Sequence, residues 1–167
     1  MRRLAGHGVV LEPQTARDAA ELFLVLDDPE LYVFTDDTGP ASEEALAARL
    51  ARLESRRSPD GSEQWLNWVV RNDDGEVVGY VQATVREGNE AEIAYVLGRS
   101  YWRHGYATAA CRLMLSELRS AYGVTRAMAT LDPQNAASLA LLRKLGFRLF
   151  DESPETNEVS YELALMP

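Results

Sequence analysis

The sequence is poor in the residues that staple or metallate a small protein. Of its 167 residues one is a cysteine, Cys111, and two are histidines, His7 and His104. A lone thiol closes no internal disulfide, and with two histidines far from it no zinc-ligand spacing exists. Disulfide scaffolding and zinc chemistry drop out, and no metal is expected. Long apolar runs are lacking too. Nowhere do about 18 apolar residues follow one another, as a membrane span needs, and the opening Met1-Arg2-Arg3-Leu4-Ala5-Gly6-His7-Gly8 lacks the apolar stretch of a secretory signal. A cytoplasmic location without a membrane partner is expected. Positive charge is scarce: 17 basic against 26 acidic side chains give −9, which opposes a polyanionic partner, so nucleic acid is not expected.

What is there is ordinary for a folded protein. Hydrophobic residues make up 46% and charged residues 26%, as in an average globular chain, and the length suits one domain over 1–167. The charge is unevenly spread. Residues 1–98 carry 9 basic and 19 acidic side chains, residues 99–148 carry 8 and 2, and residues 149–167 carry only 5 acidic ones. A basic middle segment in an acidic protein suits a small, multiply charged anion, although one solvated helix face gives the same count.

Hydrophobic periodicity then lays out the elements. A short apolar run closes at Leu11-Glu12-Pro13. Thr15 can cap a helix through Ala19, Leu22, Phe23 and Leu26, and a second helix follows Ser42 with Leu46, Leu50 and Leu53 inward. Three strands at 65–71, 77–85 and 91–97, joined at Asp73-Asp74-Gly75 and Gly88-Asn89, read as an antiparallel meander. Ala107, Ala110, Cys111, Met114, Leu115, Leu118 and Tyr122 recur at helical spacing before Gly123, which places Cys111 in the core. A strand at 125–131, a helix from Asn135 to Leu145 stopped by Gly146, and strands at 147–150 and 159–165 complete the chain. The order is β-α-α-β-β-β-α-β-α-β-β, a mixed α/β (α+β) domain.

The chemistry-bearing stretch is Ala94-Tyr95-Val96-Leu97-Gly98-Arg99-Ser100-Tyr101-Trp102-Arg103-His104-Gly105-Tyr106-Ala107-Thr108, where a buried strand ends in a turn that opens a helix. Small residues at Gly105 and Ala107 let the backbone approach a ligand, and the first N–H groups of the helix have no internal partner. Such a terminus accepts phosphate. A tight turn needing a glycine is the plain alternative. The three glycines of a dinucleotide fold and the Gly-Lys-Ser/Thr of a P-loop are both missing.

Within it the run Trp102-Arg103-His104-Gly105-Tyr106-Ala107, placed after the strand at 92–97 and followed by Asn135-x-x-Ser138 and Leu145-Gly146-Phe147, resembles the pyrophosphate-binding and distal motifs of the GNAT acyltransferase superfamily. It is most similar to the ribosomal-protein N-terminal acetyltransferase-like branch, which the opening Leu11-Glu12-Pro13 and Asp18 also fit. The resemblance implies a mostly antiparallel mixed sheet flanked by helices, with acetyl-CoA in a V-shaped cleft between the strands 91–97 and 125–131. It further implies that backbone groups of Val96 and Leu97 pair with the pantetheine arm. The N–H groups of Arg103, His104, Gly105, Tyr106, Ala107 and Thr108 would hold the pyrophosphate, and Asn135 would contact the pantetheine or its thioester end. Capping a helix is the other duty open to Asn135. Two positions depart from the pattern: Trp102 stands where Gln or Arg is usual, and Leu142 stands where many members place a tyrosine that protonates the leaving thiolate. Ser138 is the nearest analogue of that tyrosine.

Acyl transfer to an amine needs the amine neutral, hence a base. Glu92 is the candidate, on the strand face shared with Ala94 and Val96. The expected activity is acetyl-CoA-dependent N-acetylation of a primary amine, either a protein N-terminus or a small molecule, by direct attack. A non-catalytic acyl-CoA sensor and an unrelated nucleotide-binding domain are the competing classes. Tyr32, Phe34, Asp36 and Asp37, with Trp65 and Trp68, are expected to line the acceptor side, where the acidic first half suits a cationic amine. The oligomeric state, monomer or homodimer, is left open.

Overall fold

The computed structural model describes residues 1–165, so the last two residues of the expected 1–167 domain lie outside the description. Eight strands form one sheet in the order β1-β2-β3-β4-β5-β6-β8-β7. They are β1 (Leu4–Gly6), β2 (Val9–Pro13), β3 (Gln64–Asn72), β4 (Val77–Arg86), β5 (Glu90–Leu97), β6 (Arg126–Leu131), β7 (Arg148–Ser153) and β8 (Glu158–Ala164). Every neighbouring pair is antiparallel except β5 and β6. Four helices cover the sheet: α1 (Ala19–Leu26), α2 (Glu43–Leu53), α3 (Tyr106–Tyr122) and α4 (Ala136–Leu145).

Two features differ from the sequence reading, both at the N-terminus. The single run expected there is a hairpin, because His7 and Gly8 take φ of 55° and 79°. Two consecutive positive φ values make the tight turn whose twist suits paired strands. Thr15 opens a 3₁₀ turn, Ala16–Asp18, ahead of α1. The Asp18 carboxylate accepts the Thr15 amide at 2.8 Å and its hydroxyl at 3.1 Å, which fixes the turn. The other helix boundaries follow their caps. Ser42 Oγ accepts the Ala45 amide at 3.1 Å at the start of α2, and Gly123 and Gly146, at φ of 67° and 94°, end α3 and α4.

The sheet separates two apolar cores. One, against α3 and α4, contains Leu11, Leu66, Trp68, Val81, Ile93, Met114, Leu118 and Leu142. The other, against α1 and α2, contains Leu22, Leu26, Leu46, Leu50, Val69 and Val77. Strand alternation assigns each side chain of β5 to a face: Ile93, Tyr95 and Leu97 pack with the α3/α4 core, whereas Val96 packs with the α1/α2 core. Glu92 and Ala94 share the face of Val96. A sheet with helices on both faces leaves one place where a ligand can pass between its strands, the junction of β5 and β6.

Candidate active site

β5 and β6 pair only through Glu90 with Arg126, Ala91 with Ala127 and Glu92 with Met128. Beyond Glu92 the two strands part. Residues 93–97 keep β4 on one edge and have no strand on the other, so an open edge of about 13 Å, at some 3.3 Å per residue, runs from the apex of a V to the end of β5.

Alternation of peptide groups decides which residues serve that edge. A Cβ built on Gly79, which sits at φ 152° in β4, would lie 2.1 Å from the Val96 carbonyl oxygen. Val96 therefore turns its carbonyl toward β4, and the expectation that its backbone pairs with the pantetheine is corrected. Tyr95 and Leu97 are the alternate residues that face outward. The Leu97 carbonyl shows this orientation, since it accepts the Trp102 indole N–H at 2.7 Å.

The open edge leads into the turn before α3. Arg103 and Gly105 take φ of 64° and 82° on either side of His104, which curls the chain into a nest of N–H groups. Among the described residues none of the six amides from 103 to 108 has a hydrogen-bond acceptor. The ladder of α3 begins only with the Ala109 amide donating to the Gly105 carbonyl at 3.0 Å. A Cβ on Gly105 would meet nothing within 4 Å, so the space before the nest is open. The guanidinium of Arg103 is exposed and without an ion-pair partner among the described residues, whereas Arg99 is held by Asp28 at 2.7 Å and Arg126 by Glu90 and Glu162. The basic segment is thus partly neutralised within the fold, and the charge aimed at a ligand here is Arg103 together with the helix dipole. The exposed His104 stacks on Tyr106, ring centroids 5.6 Å apart, and its Nδ1 lies 2.8 Å from the Trp102 carbonyl oxygen.

Across the V stands α4. Asn135 caps it, its Oδ1 accepting the Ser138 amide at 3.1 Å, and its Nδ2 has no partner among the described residues. The Ser138 hydroxyl is likewise unpartnered, while its carbonyl receives the Tyr95 hydroxyl at 3.4 Å. That contact ties β5 to α4 behind the cleft, and burial holds the Tyr95 phenol protonated well above its usual range. Leu142 is fully buried in the α3/α4 core. Cys111 is buried too, its thiol pushed up to about 12 by desolvation.

Glu92 marks the apex on the opposite, α1/α2 face. Its Oε2 pairs with Arg86 at 2.9 Å, Arg86 also holds Glu63 at 2.8 Å, and Glu63 accepts the Trp65 indole at 2.8 Å. Glu92 Oε1 remains free among the described residues. This network borders a hollow lined by Arg86, Glu90, Ala91, Glu92, Met128 and Thr130.

The expected acceptor residues divide. Tyr32 and Asp37 line a narrow cleft between α2 and the sheet, with Tyr80, Gln82, Gln14 and Arg49. The Tyr32 hydroxyl is already donated to the Leu26 carbonyl at 2.9 Å, and burial raises its pKa to about 12. Phe34 is 39% exposed in the adjoining loop. Trp68 is corrected: it is fully buried on the α3/α4 face, its indole donated to the Arg2 carbonyl at 3.3 Å, and it cannot touch an acceptor. Its neighbours Asn67 and Val69, one residue either way, face the other side. Asn67, Tyr80 and Gln82 escaped the sequence reading, although each is a polar residue at a regular alternate position in an otherwise apolar strand.

Among the described residues there is no group of His, Cys, Asp and Glu able to hold a metal ion, and no helix is long and apolar enough to cross a membrane. The family model of the GNAT acetyltransferase domain matches residues 9–148. The chain is 27% identical over 150 residues to the uncharacterized N-acetyltransferase p20 of Bacillus licheniformis, covering 89% of this chain and 83% of p20. Mycobacterium smegmatis RimJ, solved with CoA-disulfide, shares the fold at a TM-score of 0.82 and 24% identity over 94% of this chain and 82% of its own. The ribosomal-protein-S5-alanine acetyltransferase of Vibrio fischeri also superposes at 0.82, with 18% identity over 97% of this chain and 96% of its own. The parted strands and the amide nest, set within that matched span and that shared architecture, have one reading: the chain belongs to the GNAT family of N-acetyltransferases.

Proposed function

We propose that the chain transfers an acetyl group from acetyl-CoA to a primary amine by direct attack, with no covalent acyl-enzyme. The observation that carries this reading is the run of six unpartnered amides, 103–108, at the end of an open strand edge. The first N–H groups of a helix have no internal partner, and a curled set that extends them back to residue 103 favours a pyrophosphate. Arg103 adds a cation at the same point. The pantetheine arm then follows the outward peptide groups of Tyr95 and Leu97 toward the apex, with Asn135 Nδ2 facing it from α4.

The donor supplies an activated thioester carbonyl; the residues supply position and proton movement. As the amine nitrogen bonds to the carbonyl carbon and the C–S bond breaks, the amine's proton passes to Glu92 Oε1, directly or through water. The departing sulfur takes a proton from the Ser138 hydroxyl, which is replenished from solvent. Glu92 faces α1 and α2 and Ser138 faces the donor, so the two proton transfers occur on opposite sides of the sheet.

A non-catalytic acyl-CoA sensor is the second reading, favoured by the buried Leu142 where many members place tyrosine. One assay separates them: thiol release from acetyl-CoA with a panel of amines, with mass detection of an acetylated product. Product formation supports the transferase. CoA binding without thiol release on any amine supports the sensor.

A further inference from the structure

Arginines and glutamates crowd the apex of the V on the α1/α2 face, and they sort into two separate groups. Arg126, opposite Glu90 in the β5/β6 register, takes Glu90 and Glu162. Arg86, at the end of β4, is also opposite Glu90, in the β4/β5 register, yet its guanidinium goes elsewhere. It reaches along β5 to Glu92 Oε2 at 2.9 Å, while its Nε donates to Glu63 Oε1 at 2.8 Å. The residues directly opposite Glu92 are Thr84 on β4 and Met128 on β6, and neither bonds to it. Among the described residues Arg86 is the only partner of the Glu92 carboxylate.

The guanidinium is itself anchored. Glu63 Oε2 accepts the Trp65 indole N–H at 2.8 Å, so both oxygens of Glu63 are engaged. Indole, carboxylate, guanidinium and carboxylate thus follow one another without a gap from β3 to β5. The free end of this chain is Glu92 Oε1, beside the hollow that Ala91, Met128 and Thr130 line with it. A guanidinium suits such a task, since its planar fork of N–H groups fixes direction as well as distance.

The side chains of Arg86 and Glu92 are 52% and 42% exposed, so their pairing adds little to stability. Its consequence is geometric. A free glutamate on a strand surface moves among several staggered rotamers, whereas one with an oxygen held presents the other in a fixed direction. A base acts only within hydrogen-bond reach of the proton it takes.

We propose that Arg86 is a positioning residue that holds Glu92 with Oε1 toward the apex, braced from β3 by Glu63 and Trp65. This inference rests on the reading of Glu92 as the base and adds the group that aims it. The amine's proton still passes to Glu92 Oε1, and Arg86 gains and loses none.

Thiol release from acetyl-CoA tests it on the full protein, with benzylamine, spermidine, L-lysine and a peptide beginning with alanine as the probe amines. Arg86→Gln is expected to lower single-turnover rates about tenfold, with the amine KM and the CoA affinity within about twofold of the parent; a positioned base is worth about 10²–10⁴, and here only its aim is lost. Arg86→Lys keeps the charge but has one nitrogen for two carboxylates, so it should recover part of the loss. Added to Glu92→Gln, Arg86→Gln should cost nothing further, because a residue that acts only through Glu92 has no effect without it. Thermal melts should place all these variants near the parent. A loss that multiplies in the double variant, or that appears as a raised amine KM, overturns the proposal and makes Arg86 a substrate contact. An Arg86→Gln rate equal to the parent's, with Glu92→Gln slow, overturns the proposal alone. A Glu92→Gln rate equal to the parent's, or no thiol release with any of the four amines, overturns the reading of Glu92 as base and this inference with it.

Discussion

Gly105 is the position at which one substitution separates the fold from the proposed donor site. Its φ of 82° belongs to the left-handed region, where an L side chain costs roughly 1–2 kcal/mol. A Cβ at 105 would meet no atom within 4 Å in the free protein, so Gly105→Ala adds backbone strain and no clash. If the turn keeps its shape, that strain appears as a fall in Tm of about 2–8 °C for a chain of this size. If the turn relaxes instead, stability is kept and the nest is misaligned. Either way the left-handed geometry that curls the amides 103–108 is disturbed.

The loss of affinity is larger than the loss of stability. Hydrogen bonds to a charged group are worth about 1.5–3 kcal/mol each. Misdirecting two of the six amides between 103 and 108 therefore weakens CoA by about 3–6 kcal/mol, roughly two to four decades. Gly105→Val, with its branched side chain before the nest, should sit at the upper end. Calorimetry with CoA measures the affinity, and a thermal melt of the same sample reports the fold. A folded Gly105→Val variant that binds CoA as tightly as the parent would refute the assignment of the nest.

Four further outcomes follow from the same geometry. Glu92→Gln should preserve acetyl-CoA affinity and lower kcat/KM by about 10²–10⁴ if Glu92 is the positioned base; a loss confined to donor affinity would make the carboxylate a partner of Arg86 and nothing more. Ser138→Ala should leave Tm nearly unchanged, because Asn135 caps the helix through the Ser138 amide and not its hydroxyl, while single-turnover kcat falls by about ten- to a hundredfold. Tyr95→Phe removes the 3.4 Å contact to the Ser138 carbonyl and should cost under about 1 kcal/mol of stability, with KM for acetyl-CoA rising as α4 loosens; a kcat loss of 10²–10⁴ at unchanged KM would instead mark the phenol as a proton donor. Cys111, its thiol pushed up to about 12 from 9.0, keeps its proton in the fold while the unfolded chain loses it, so stability declines as pH rises above about 9. Thiol labelling at neutral pH should accordingly track global unfolding, and rapid labelling of the native protein would contradict its burial.

Much of this site was legible in the sequence because it is built from local signals. Gly105, Gly123, Gly146 and Asn135 each sit where a helix must start or stop, and a boundary of that kind is set by a few neighbouring residues. The nest before α3 is local in the same sense. What escaped was set by long-range register. Trp68 and Asn67 differ by one place in an apolar strand, and the sequence alone does not say which of them faces α2. Val96 was misjudged for a related reason: its carbonyl faces Gly79, seventeen residues earlier, next to the bulge that β4 makes at Val78. The hairpin at His7-Gly8 was hidden because three residues are too few to show alternation.

The sheet itself explains why donor and acceptor chemistry meet without mixing. Ile93, Tyr95 and Leu97 belong to the face covered by α3 and α4, while Glu92, Ala94 and Val96 belong to the face covered by α1 and α2. A donor fixed at the start of α3 and running along the open edge of β5 brings its reacting end to the apex beside Glu92. An acceptor on the α1/α2 face would meet the same apex from the other side, where Glu92 borders the hollow with Met128 and Thr130. Only where β5 and β6 cease to pair does the sheet have an aperture, and its width depends on how α4 stands from β5. The Tyr95 hydroxyl on the Ser138 carbonyl spans that gap and ties the two elements together on the α3/α4 face, one strand position from Ala94 on the other face.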